Sequence, residues 1–434
     1  MTTLRLAMFP AVGAPAGRAS RCTVASAHKL TLDMTPSGLR VGVAFGGRSV
    51  EHDVSIITGL QALGVLEDRH APVPIYIARS GRWYTGEALR ELSVYQQDGA
   101  DPEAEEVNFD LHNGRLLRAG SGGGSLLGRG RRAGGRATQS IELDVVVLAT
   151  HGTQGEDGCL QGALELAQLP YVGPPVGAAA AAMDKVTTKA VLAQAGLPAL
   201  GHVALRREEW DAEKGRCPPR ARGAFDFPMY VKPASLGSSV GVRRCTDEFE
   251  LLEALELCFE LDRTCLLEPS VEGGIEVNCS VIGRPGAAPR ASVCEQPVAA
   301  EDFLSFEDKY MSGAKAEGMK GAQRLIPAPL PDELTAQVQD LAKQAFTAFG
   351  CAGVTRVDFL IDAQQRVYIN ELNTIPGSFS FYLWEPAGVP FADLMDSLID
   401  FALAEQREKL RTTTVFATNL LAERASGTKA GEKS

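Results

Sequence analysis

Four polar side chains stand at alternating positions in two apolar segments late in the chain. Arg356 and Asp358 lie two residues apart in GVTRVDFLI, and Glu371 and Asn373 lie two residues apart in VYINELN. Alternate residues of a strand share a face. The short polar turn between the two segments predicts that they pair as an antiparallel hairpin.

Pairing of these strands would gather Asp358, Glu371 and Asn373 on one face while the apolar residues pack on the other. Three oxygen donors, two of them carboxylates, suit a hard cation such as Mg²⁺, which keeps waters and substrate phosphates as its other ligands. The hairpin therefore predicts a metal–nucleotide site. The alternative is a solvated strand face that carries ordinary surface charges.

A second candidate site is the loop of small residues that follows a lysine in YVKPASLGSSVGV. Glycine lets the backbone approach a ligand closely, and successive N–H groups can surround phosphate oxygens. Lys232 adds a positive charge at the end of the preceding strand. The Walker A pattern is absent. The loop therefore predicts a phosphate site of another type, with a flexible hairpin tip as the alternative.

Two glycine-rich turns follow predicted strands, in FGGRSVEHDVS and THGTQGEDG. In open α/β folds, ligands bind at the carboxyl edge of the parallel strands. Glu51 can hold a substrate ammonium there, although a carboxylate near a helix start is also favoured by the helix dipole alone. His151 can reach the same cleft, and the alternative is a structural histidine.

The elements that position these residues follow from apolar periodicity. The runs LRVGVAFGG, APVPIYIA and LDVVVLATHG predict buried parallel strands, and helical spacing between them predicts a doubly wound α/β start. Further strands are predicted at FPMYVKP, VGVRRC, CLLEP and IEVNCSVIG, and helices at MDKVTTKAVLAQAGLP and PDELTAQVQDLAKQAFTAFG. Residues from about 95 to 140 are weakly patterned and predict a Gly/Arg-rich surface loop.

Length and charge limit the classes of function. A chain of 434 residues favours two or three domains, and 45% hydrophobic with 22% charged residues is typical of globular proteins. The formal net charge of -11 argues against a general nucleic-acid or anionic-membrane binder, because both of those surfaces are negatively charged. No apolar run approaches the roughly 20 residues that span a bilayer.

Cysteine usage and the chain ends give weaker predictions. Nine cysteines without a CxxC pair argue against a disulfide framework or structural zinc and favour a reducing cytoplasm. Residues 1–38 are basic and rich in Ala and Ser like a targeting peptide, but Pro10, Gly13 and Pro15 interrupt the apolar run. We expect a disordered extension or a start codon assigned too early, with Met34 as the alternative start, and a disordered tail over 412–434.

Six motifs together resemble the D-alanine–D-alanine ligases, which are ATP-grasp enzymes of peptidoglycan precursor synthesis. They occur in the order GGRSVEHDVS, HGTQGEDGCLQGALELAQLPYVG, MDKVTTKAVLAQAGLP, VKPASLGSSVGV, DKYMSG and GVTRVDFLI…VYINELNTIPG. The similarity runs from Arg40 to Ala404 and leaves out the N-terminal extension, the Gly/Arg-rich loop and the tail.

The resemblance implies a three-domain ATP-grasp fold of the α/β (α+β) class. The expected parts are an N-terminal doubly wound parallel-sheet domain that binds substrate over 39–178, a central lid domain over 179–268, and a C-terminal domain with the metal and catalytic residues over 269–411. The resemblance also implies ATP and Mg²⁺ as cofactors, with Mn²⁺ as a substitute for Mg²⁺. D-alanine is the implied substrate, and a homodimer without nucleic-acid or membrane partners is the implied assembly.

Roles for individual residues come from the same resemblance. Contacts to ATP are implied for Lys185, Lys232, Ser235, Gly237, Ser238, Ser239, Glu268, Glu276 and Lys309. The first D-alanine is implied to meet Glu51, with Ser238 and Tyr310 fixing that geometry, and His151 is a further substrate contact. Arg356 and the backbone N–H of Gly377 are implied oxyanion stabilisers, and Asp358, Glu371 and Asn373 are implied metal ligands.

The segment PGSFSFYLWEP departs from the family pattern. Tyr382 falls where the family has a serine that binds the carboxylate of the second substrate, so either Ser380 or the Tyr382 hydroxyl would take that role. Lys309 is followed by Tyr310 as in ligases that favour D-alanine, and Lys309 is a further candidate for that carboxylate. D-serine or D-lactate as second substrate is one alternative. A nucleotide-binding regulator is another, but it would require the loss of metal ligands or of Arg356.

Overall fold

The computed structural model describes residues 38–96, 104–119, 139–213, 215–298 and 324–415. These residues form a mixed α/β structure with three sheets of eight, four and five strands. The predicted N-terminal extension and most of the predicted tail, together with Lys309 and Tyr310, lie outside the described residues.

The first sheet has the strand order β6-β5-β4-β3-β2-β1-β7-β8. Its strands are β1 (Arg40–Gly46), β2 (Ala71–Ile77), β3 (Trp83–Thr85), β4 (Glu105–Asp110), β5 (Arg115–Arg118), β6 (Ser140–Glu142), β7 (Val145–Leu148) and β8 (Tyr171–Val172). The pairs β1–β2 and β1–β7 are parallel, as the buried apolar runs predict, and β7–β8, which the sequence analysis did not predict, is parallel too. Helix α1 (His52–Leu66) connects β1 to β2, and α2 (Cys159–Leu166) connects β7 to β8.

The other half of this sheet is antiparallel and includes residues that the sequence analysis assigned to a loop. Strands β4 and β5 pair with each other within the 95–140 range. Val107 and Leu116 point into the core and are at most 2% exposed. A few apolar residues among polar ones were enough to form strands here because β3 offers β4 an edge to pair with. Residues 120–138, which hold the Gly/Arg-rich stretch, lie outside the described ranges.

The second sheet has the order β11-β10-β12-β9, and its pairs are antiparallel. Its strands are β9 (Val203–Arg206), β10 (Met229–Pro233), β11 (Arg243–Cys245) and β12 (Thr264–Pro269). The helices in or next to this part of the chain are α3 (Val176–Met183), α4 (Lys185–Gln194), α5 (Arg207–Glu213), α6 (Pro219–Arg222) and α7 (Glu248–Leu261). Asp184 caps α4 by accepting a hydrogen bond from the Thr187 N–H at 2.6 Å, and Gly196, with φ +69°, follows the helix as predicted.

The third sheet has the order β15-β14-β13-β16-β17 and is also antiparallel. Its strands are β13 (Ile275–Gly283), β14 (Arg290–Pro297), β15 (Arg324–Leu325), β16 (Gly353–Ile361) and β17 (Val367–Asn373). Helices α8 (Asp332–Ala348), α9 (Phe381–Trp384) and α10 (Phe391–Leu410) complete the chain. The predicted hairpin is confirmed: β16 pairs with β17, with Val357 and Phe359 fully packed on the apolar face.

The last helix closes the core of the first sheet. Val41, Phe45 and Leu63 belong to the same buried cluster as Leu394 and Leu398 of α10. At the rim, the Arg69 guanidinium contacts Asp393 and Asp396 of α10, at 2.8 and 2.5 Å. Residues at the two ends of the described chain therefore share one core.

The three sheets follow the three predicted domain ranges in chain order, but the described residues form one compact unit, so the three-domain division stays a prediction. No helix within the described ranges is long and apolar enough to cross a membrane. Cys258 of α7 and Cys265 of β12 form one disulfide, and the other six described cysteines are free thiols. One disulfide between residues seven positions apart is not a disulfide framework, which the sequence analysis argued against.

Candidate active site

A row of four polar residues crosses the third sheet. The strand registers place Glu295 opposite Asn278, Asn278 opposite Asp358, and Asp358 opposite Glu371. Residues directly opposite each other in a sheet share a face. The Asn278 amide donates to Glu295 Oε1 at 2.9 Å, which fixes one end of the row.

Arg356 and Asp358 form a two-pronged ion pair on this face. Arg356 Nε and Nη2 donate to the two oxygens of Asp358, both at 2.7 Å, and the Asn373 amide donates to Asp358 Oδ2 at 2.9 Å. Burial disfavours the Arg356 charge, but the Asp358 carboxylate outweighs burial and raises the pKa of Arg356. Arg356 is therefore a permanent and well-fixed positive charge.

The predicted metal ligands fit a hard cation. Asp358, Glu371 and Asn373 line one cavity together, and they offer two carboxylates and an amide oxygen. No group of three or more His, Cys, Asp and Glu in the described part of the chain forms a metal site by itself. This donor set therefore suits a cation that takes its remaining ligands from waters and phosphates.

Two lysines flank a buried carboxylate between α4 and the second sheet. Glu268 is 1% exposed and lies 2.6 Å from Lys232 Nζ and 2.5 Å from Lys189 Nζ. Burial alone would raise the pKa of Glu268, but the two ammonium groups outweigh it and lower that pKa to about 2. Lys232 also donates to Asn370 Oδ1 at 3.3 Å, so it links the second sheet to β17.

The loop of small residues connects this lysine cluster to the first sheet. Lys185 Nζ donates to the Leu236 carbonyl at 2.5 Å, and burial lowers the pKa of Lys185. The Ser235 N–H donates to Asp262 Oδ2 at 2.7 Å, and Ser239 has a left-handed φ of 59°. A Cβ atom at Gly237 would lie 2.9 Å from a Glu51 oxygen, so the loop backbone approaches the Glu51 carboxylate closely at this glycine.

Glu51 lies at the start of α1 and faces this loop. The Ser238 hydroxyl donates to Glu51 Oε1, and Glu51 is 7% exposed. A Cβ at Gly152 would lie 2.6 Å from Glu51 Oε2, so the second glycine-rich turn also approaches the carboxylate closely. The two turns and the loop therefore surround one carboxylate, as a site for a small cation such as an ammonium requires.

His151 is buried beneath the same cleft and is uncharged at neutral pH. Burial lowers the pKa of His151 to about 4. Its Nε2 lies 2.9 Å from Thr58 Oγ1, which accepts a hydrogen bond from the Ser378 N–H at 3.1 Å. The Thr58 hydroxyl therefore links His151 to Ser378. His151 joins α1 to the segment after β17.

That segment, Gly377–Ser380, forms a turn with an unusual backbone. Ser378, Phe379 and Ser380 all have left-handed φ angles, of 53°, 53° and 51°. Non-glycine residues pay about 1–2 kcal/mol each for this conformation. Fixed packing holds the turn, because Phe379 is 1% exposed and Ser380 is completely buried. The turn directs Gly377 into the cavity.

Glu156 was not singled out by the sequence analysis. Its carboxylate accepts hydrogen bonds from the Gly152 N–H at 2.8 Å and the Ile375 N–H at 3.1 Å. Burial, followed by the neighbouring Glu51 charge, raises the pKa of Glu156 to about 8. Its position inside the glycine-rich GTQGEDG turn was the sequence feature that could have marked Glu156 as a site residue.

Glu156→Gln is expected to flatten the dependence of the free energy of unfolding on pH. The folded pKa lies above the unfolded value of 4.5, so the native state holds the extra proton and stability falls as the pH rises from 4.5 to about 8. One such group contributes a slope of at most about 1.4 kcal/mol per pH unit. Urea unfolding across this range measures the slope. Asp157→Asn, in the same turn, should retain the parent slope, and an unchanged slope in Glu156→Gln would contradict the assignment.

A second cluster includes two cavity-lining residues, Glu295 and Arg324, that the sequence analysis did not single out. Arg324 Nη1 lies 3.3 Å from Glu295 Oε2, and its guanidinium stacks 4.7 Å above the Tyr382 ring. The Tyr382 hydroxyl donates to Glu295 Oε1 at 3.1 Å. Sequence could not join these residues, because they lie on β14, β15 and α9.

The cavity is lined by about half of the predicted site residues. Its lining includes Glu51, His151, Ser238, Glu276, Arg356, Asp358, Glu371, Asn373 and Gly377. Residues beside it but not in its lining are Lys185, Lys232, Ser235, Gly237, Ser239, Glu268, Ser380 and Tyr382. Thus neither residue expected to replace the family serine lines the cavity. The roles of Lys309 and Tyr310 stay predictions because both lie outside the described residues.

Two family models cover most of the chain. The model described as D-ala D-ala ligase N-terminus matches residues 40–174, and that described as D-ala D-ala ligase C-terminus matches residues 191–400. The fold and the shared cavity place the protein in the ATP-grasp class of ligases. The chain belongs to the D-alanine–D-alanine ligase family.

Individual relatives agree with this assignment. The chain is 36% identical to a D-alanine–D-alanine ligase of Solibacter usitatus, over 86% of this chain and 97% of the relative. It is 31% identical to the D-alanine–D-alanine ligase of Thermosipho africanus, over 88% of this chain and 98% of the relative. Among solved structures, the D-alanine–D-alanine ligase from Coxiella burnetii has a TM-score of 0.68 at 27% identity, covering 92% of this chain and all of that one. The VanG D-Ala:D-Ser ligase from Enterococcus faecalis also has a TM-score of 0.68. It is 26% identical, and the match covers 84% of this chain and all of that one.

Proposed function

We propose that this protein joins two D-alanines into D-alanyl-D-alanine at the expense of ATP, for peptidoglycan precursor synthesis. One observation carries the proposal: in a chain of this family, a single cavity holds the Glu51–Ser238 pair together with the Arg356–Asp358 pair. The first pair suits an amino-acid ammonium, and the second suits a reaction in which negative charge develops.

In the first step, Glu51 binds the ammonium of one D-alanine, and Ser238 fixes the orientation of the Glu51 carboxylate. A carboxylate oxygen of the D-alanine attacks the γ-phosphorus of ATP, the bond to the bridging oxygen breaks, and ADP leaves with the electron pair. The product is D-alanyl phosphate. Lys185 and Lys232 supply positive charge for the phosphates, and the loop 235–239 covers them.

In the second step, the amine of another D-alanine attacks the acyl carbon. Arg356 and the Gly377 N–H stabilise the oxyanion that forms. The carbonyl then re-forms, phosphate leaves with the electron pair of its bond to carbon, and the new amide nitrogen loses a proton. Binding both amino acids in one cavity orients them and excludes water, which would otherwise hydrolyse the acyl phosphate.

Mg²⁺, or Mn²⁺ in its place, held by Asp358, Glu371 and Asn373, would neutralise charge on the phosphoryl group. The remaining proposals follow from the family resemblance. Glu276 would accept a hydrogen bond from the ATP ribose, and Glu268 would lie on the adenine side. We also propose a cytoplasmic location, where ATP is available, and a homodimer.

A phosphate-release assay tests the function directly. The purified protein is given ATP, Mg²⁺ and D-alanine, and then D-serine or D-lactate is added as a second acceptor. We expect D-alanine alone to support turnover. Absence of phosphate release with D-alanine alone would overturn the proposal, and faster release only on addition of D-serine would favour the activity that the VanG relative is named for.

Glu51→Gln is expected to raise the KM for the first D-alanine by about 10- to 100-fold, because a hydrogen bond to a charged group contributes about 1.5–3 kcal/mol. Initial rates across D-alanine concentrations separate the two KM values. Asp53→Asn is the matched control on α1, since the Asp53 side chain is 80% exposed and pairs with the Arg79 guanidinium. An unchanged KM in Glu51→Gln would count against the ammonium contact.

A further inference from the structure

We propose that Arg324 binds the carboxylate of the second amino acid, and that Glu295 and Tyr382 are positioning residues that hold its guanidinium at the cavity. This proposal rests on the proposed function and names the group that selects the acceptor. Arg324 begins β15 and lines the same cavity as Arg356. Its side chain is 21% exposed, so it is partly desolvated but still reachable from the cavity.

The charges around the cavity favour this assignment. The described lining residues include five carboxylates, those of Glu51, Glu276, Glu295, Asp358 and Glu371, besides the protonated Glu156, but only two guanidinium groups. A substrate carboxylate in such surroundings needs a positive partner. Arg356 already gives two short hydrogen bonds to Asp358. Arg324 gives Glu295 one longer contact, at 3.3 Å, so among the described lining residues it is the cation better able to take a further carboxylate.

The hydrogen bonds of Glu295 suit it to orient the Arg324 guanidinium rather than to bind substrate. It is 1% exposed, and its Oε1 accepts hydrogen bonds from Asn278 at 2.9 Å and Tyr382 at 3.1 Å. Its Oε2 faces Arg324. A buried carboxylate that is saturated in this way holds a guanidinium in one orientation, which reduces the entropy lost when a ligand binds.

Tyr382 contributes from the opposite side. Its ring lies 4.7 Å from the Arg324 guanidinium carbon, and its hydroxyl is directed to Glu295. A serine at this position could not provide an aromatic surface for the guanidinium. The tyrosine in place of the family serine therefore moves the carboxylate-binding role to Arg324 instead of performing it.

The two guanidinium groups also affect each other. Neighbouring Tyr382 and Glu295 raise the pKa of Arg324 against the effect of burial, while the charge of Arg356 acts in the opposite direction. An anion bound beside both groups would relieve their repulsion. A planar carboxylate can accept two parallel N–H groups from a guanidinium. The expected acceptor is thus an amino acid with a free carboxylate.

The test compares two nucleophiles on the same enzyme. Dipeptide formation requires the second D-alanine to bind, whereas hydroxylamine, which has no carboxylate, captures the acyl phosphate as a hydroxamate. Arg324→Gln is expected to raise the KM for the second D-alanine by about 10- to 100-fold. Its rate of hydroxamate formation and its KM for the first D-alanine should remain those of the parent.

Two further variants separate charge from folding. Arg324→Lys keeps the positive charge and should recover part of the lost affinity for the second D-alanine. Arg290→Gln is the matched control, because Arg290 is an exposed arginine at the start of β14, and it should behave as the parent does. Tyr382→Phe keeps the ring but removes the hydroxyl, so its KM for the second D-alanine should lie between those of the parent and Arg324→Gln.

An unchanged KM for the second D-alanine in Arg324→Gln overturns the proposal. An equal fall in dipeptide and hydroxamate formation also overturns it, because that pattern indicates general damage to the site. Failure of the proposed function is recognised separately, since the parent protein would then form neither product from D-alanine and ATP.

Discussion

Arg356→Ala is expected to lower kcat by at least about 10²–10³-fold, which is the effect of removing one oxyanion-stabilising group from an acyl-transfer site. The loss should be greater still because Asp358 accepts both of its short ion-pair contacts from Arg356. Removing the guanidinium leaves that carboxylate next to a developing negative charge. ATP binding should persist, because Lys185 and Lys232, which we propose face the phosphates, lie on other elements. Single-turnover phosphate release and equilibrium ATP binding measure the two effects.

Two controls define this experiment. Arg356→Lys keeps a positive charge but loses the two-pronged geometry, so it should recover only part of the activity. Arg366→Ala changes an arginine in the turn of the same hairpin, where the side chain is 66% exposed, and should leave kcat unchanged. A parental kcat in Arg356→Ala would show that Arg356 does not stabilise the oxyanion.

Glu268→Gln is expected to destabilise the protein by about 3–5 kcal/mol, the usual cost of removing one partner from a buried ion pair. Lys189 and Lys232 would be left as neighbouring buried cations without their shared carboxylate. Burial lowers the pKa of Lys189, whereas the Glu268 charge outweighs burial at Lys232 and raises its pKa, so both lysines depend on Glu268. Denaturant unfolding at neutral pH measures the loss.

A second substitution tests the cause. Lys189→Met in the Glu268→Gln background removes one unpaired cation and should restore part of the stability. Glu272→Gln is the control, because Glu272 is 62% exposed and its ion pair with Arg244 should contribute less than about 1 kcal/mol. Equal stabilities of Glu268→Gln and Glu272→Gln would show that the lysine cluster does not depend on the carboxylate.

Local patterns predicted the hairpin well because its polar residues alternate with apolar ones within two strands that are adjacent in the chain. The register confirms that Asp358 lies opposite Glu371 and Arg356 opposite Asn373. The parallel strands of the first sheet were predictable for the same reason, since each is a short apolar run that ends at a turn. In both cases the relevant contacts involve neighbouring segments of the chain.

Contacts between distant segments were not predictable from pattern. Glu295, Arg324 and Tyr382 meet because the strand order β15-β14-β13 brings them together, and no periodicity within one segment encodes that order. The buried position of Ser380 depends on three successive left-handed residues, which the sequence does not signal because none of them is glycine. Strands β4 and β5 formed from weakly patterned residues because a neighbouring edge was available.

The position of α10 on the first sheet has a consequence for synthesis. The apolar face that includes Val41 and Phe45 is completed by Leu394 and Leu398, which are made much later than the strands they cover. A ribosome therefore releases the early strands long before their cover exists, and contacts of such wide sequence separation form slowly. The nascent chain carries this hydrophobic surface uncovered until α10 has been made, so we expect a chaperone that shields the surface over that interval to increase the yield of folded protein.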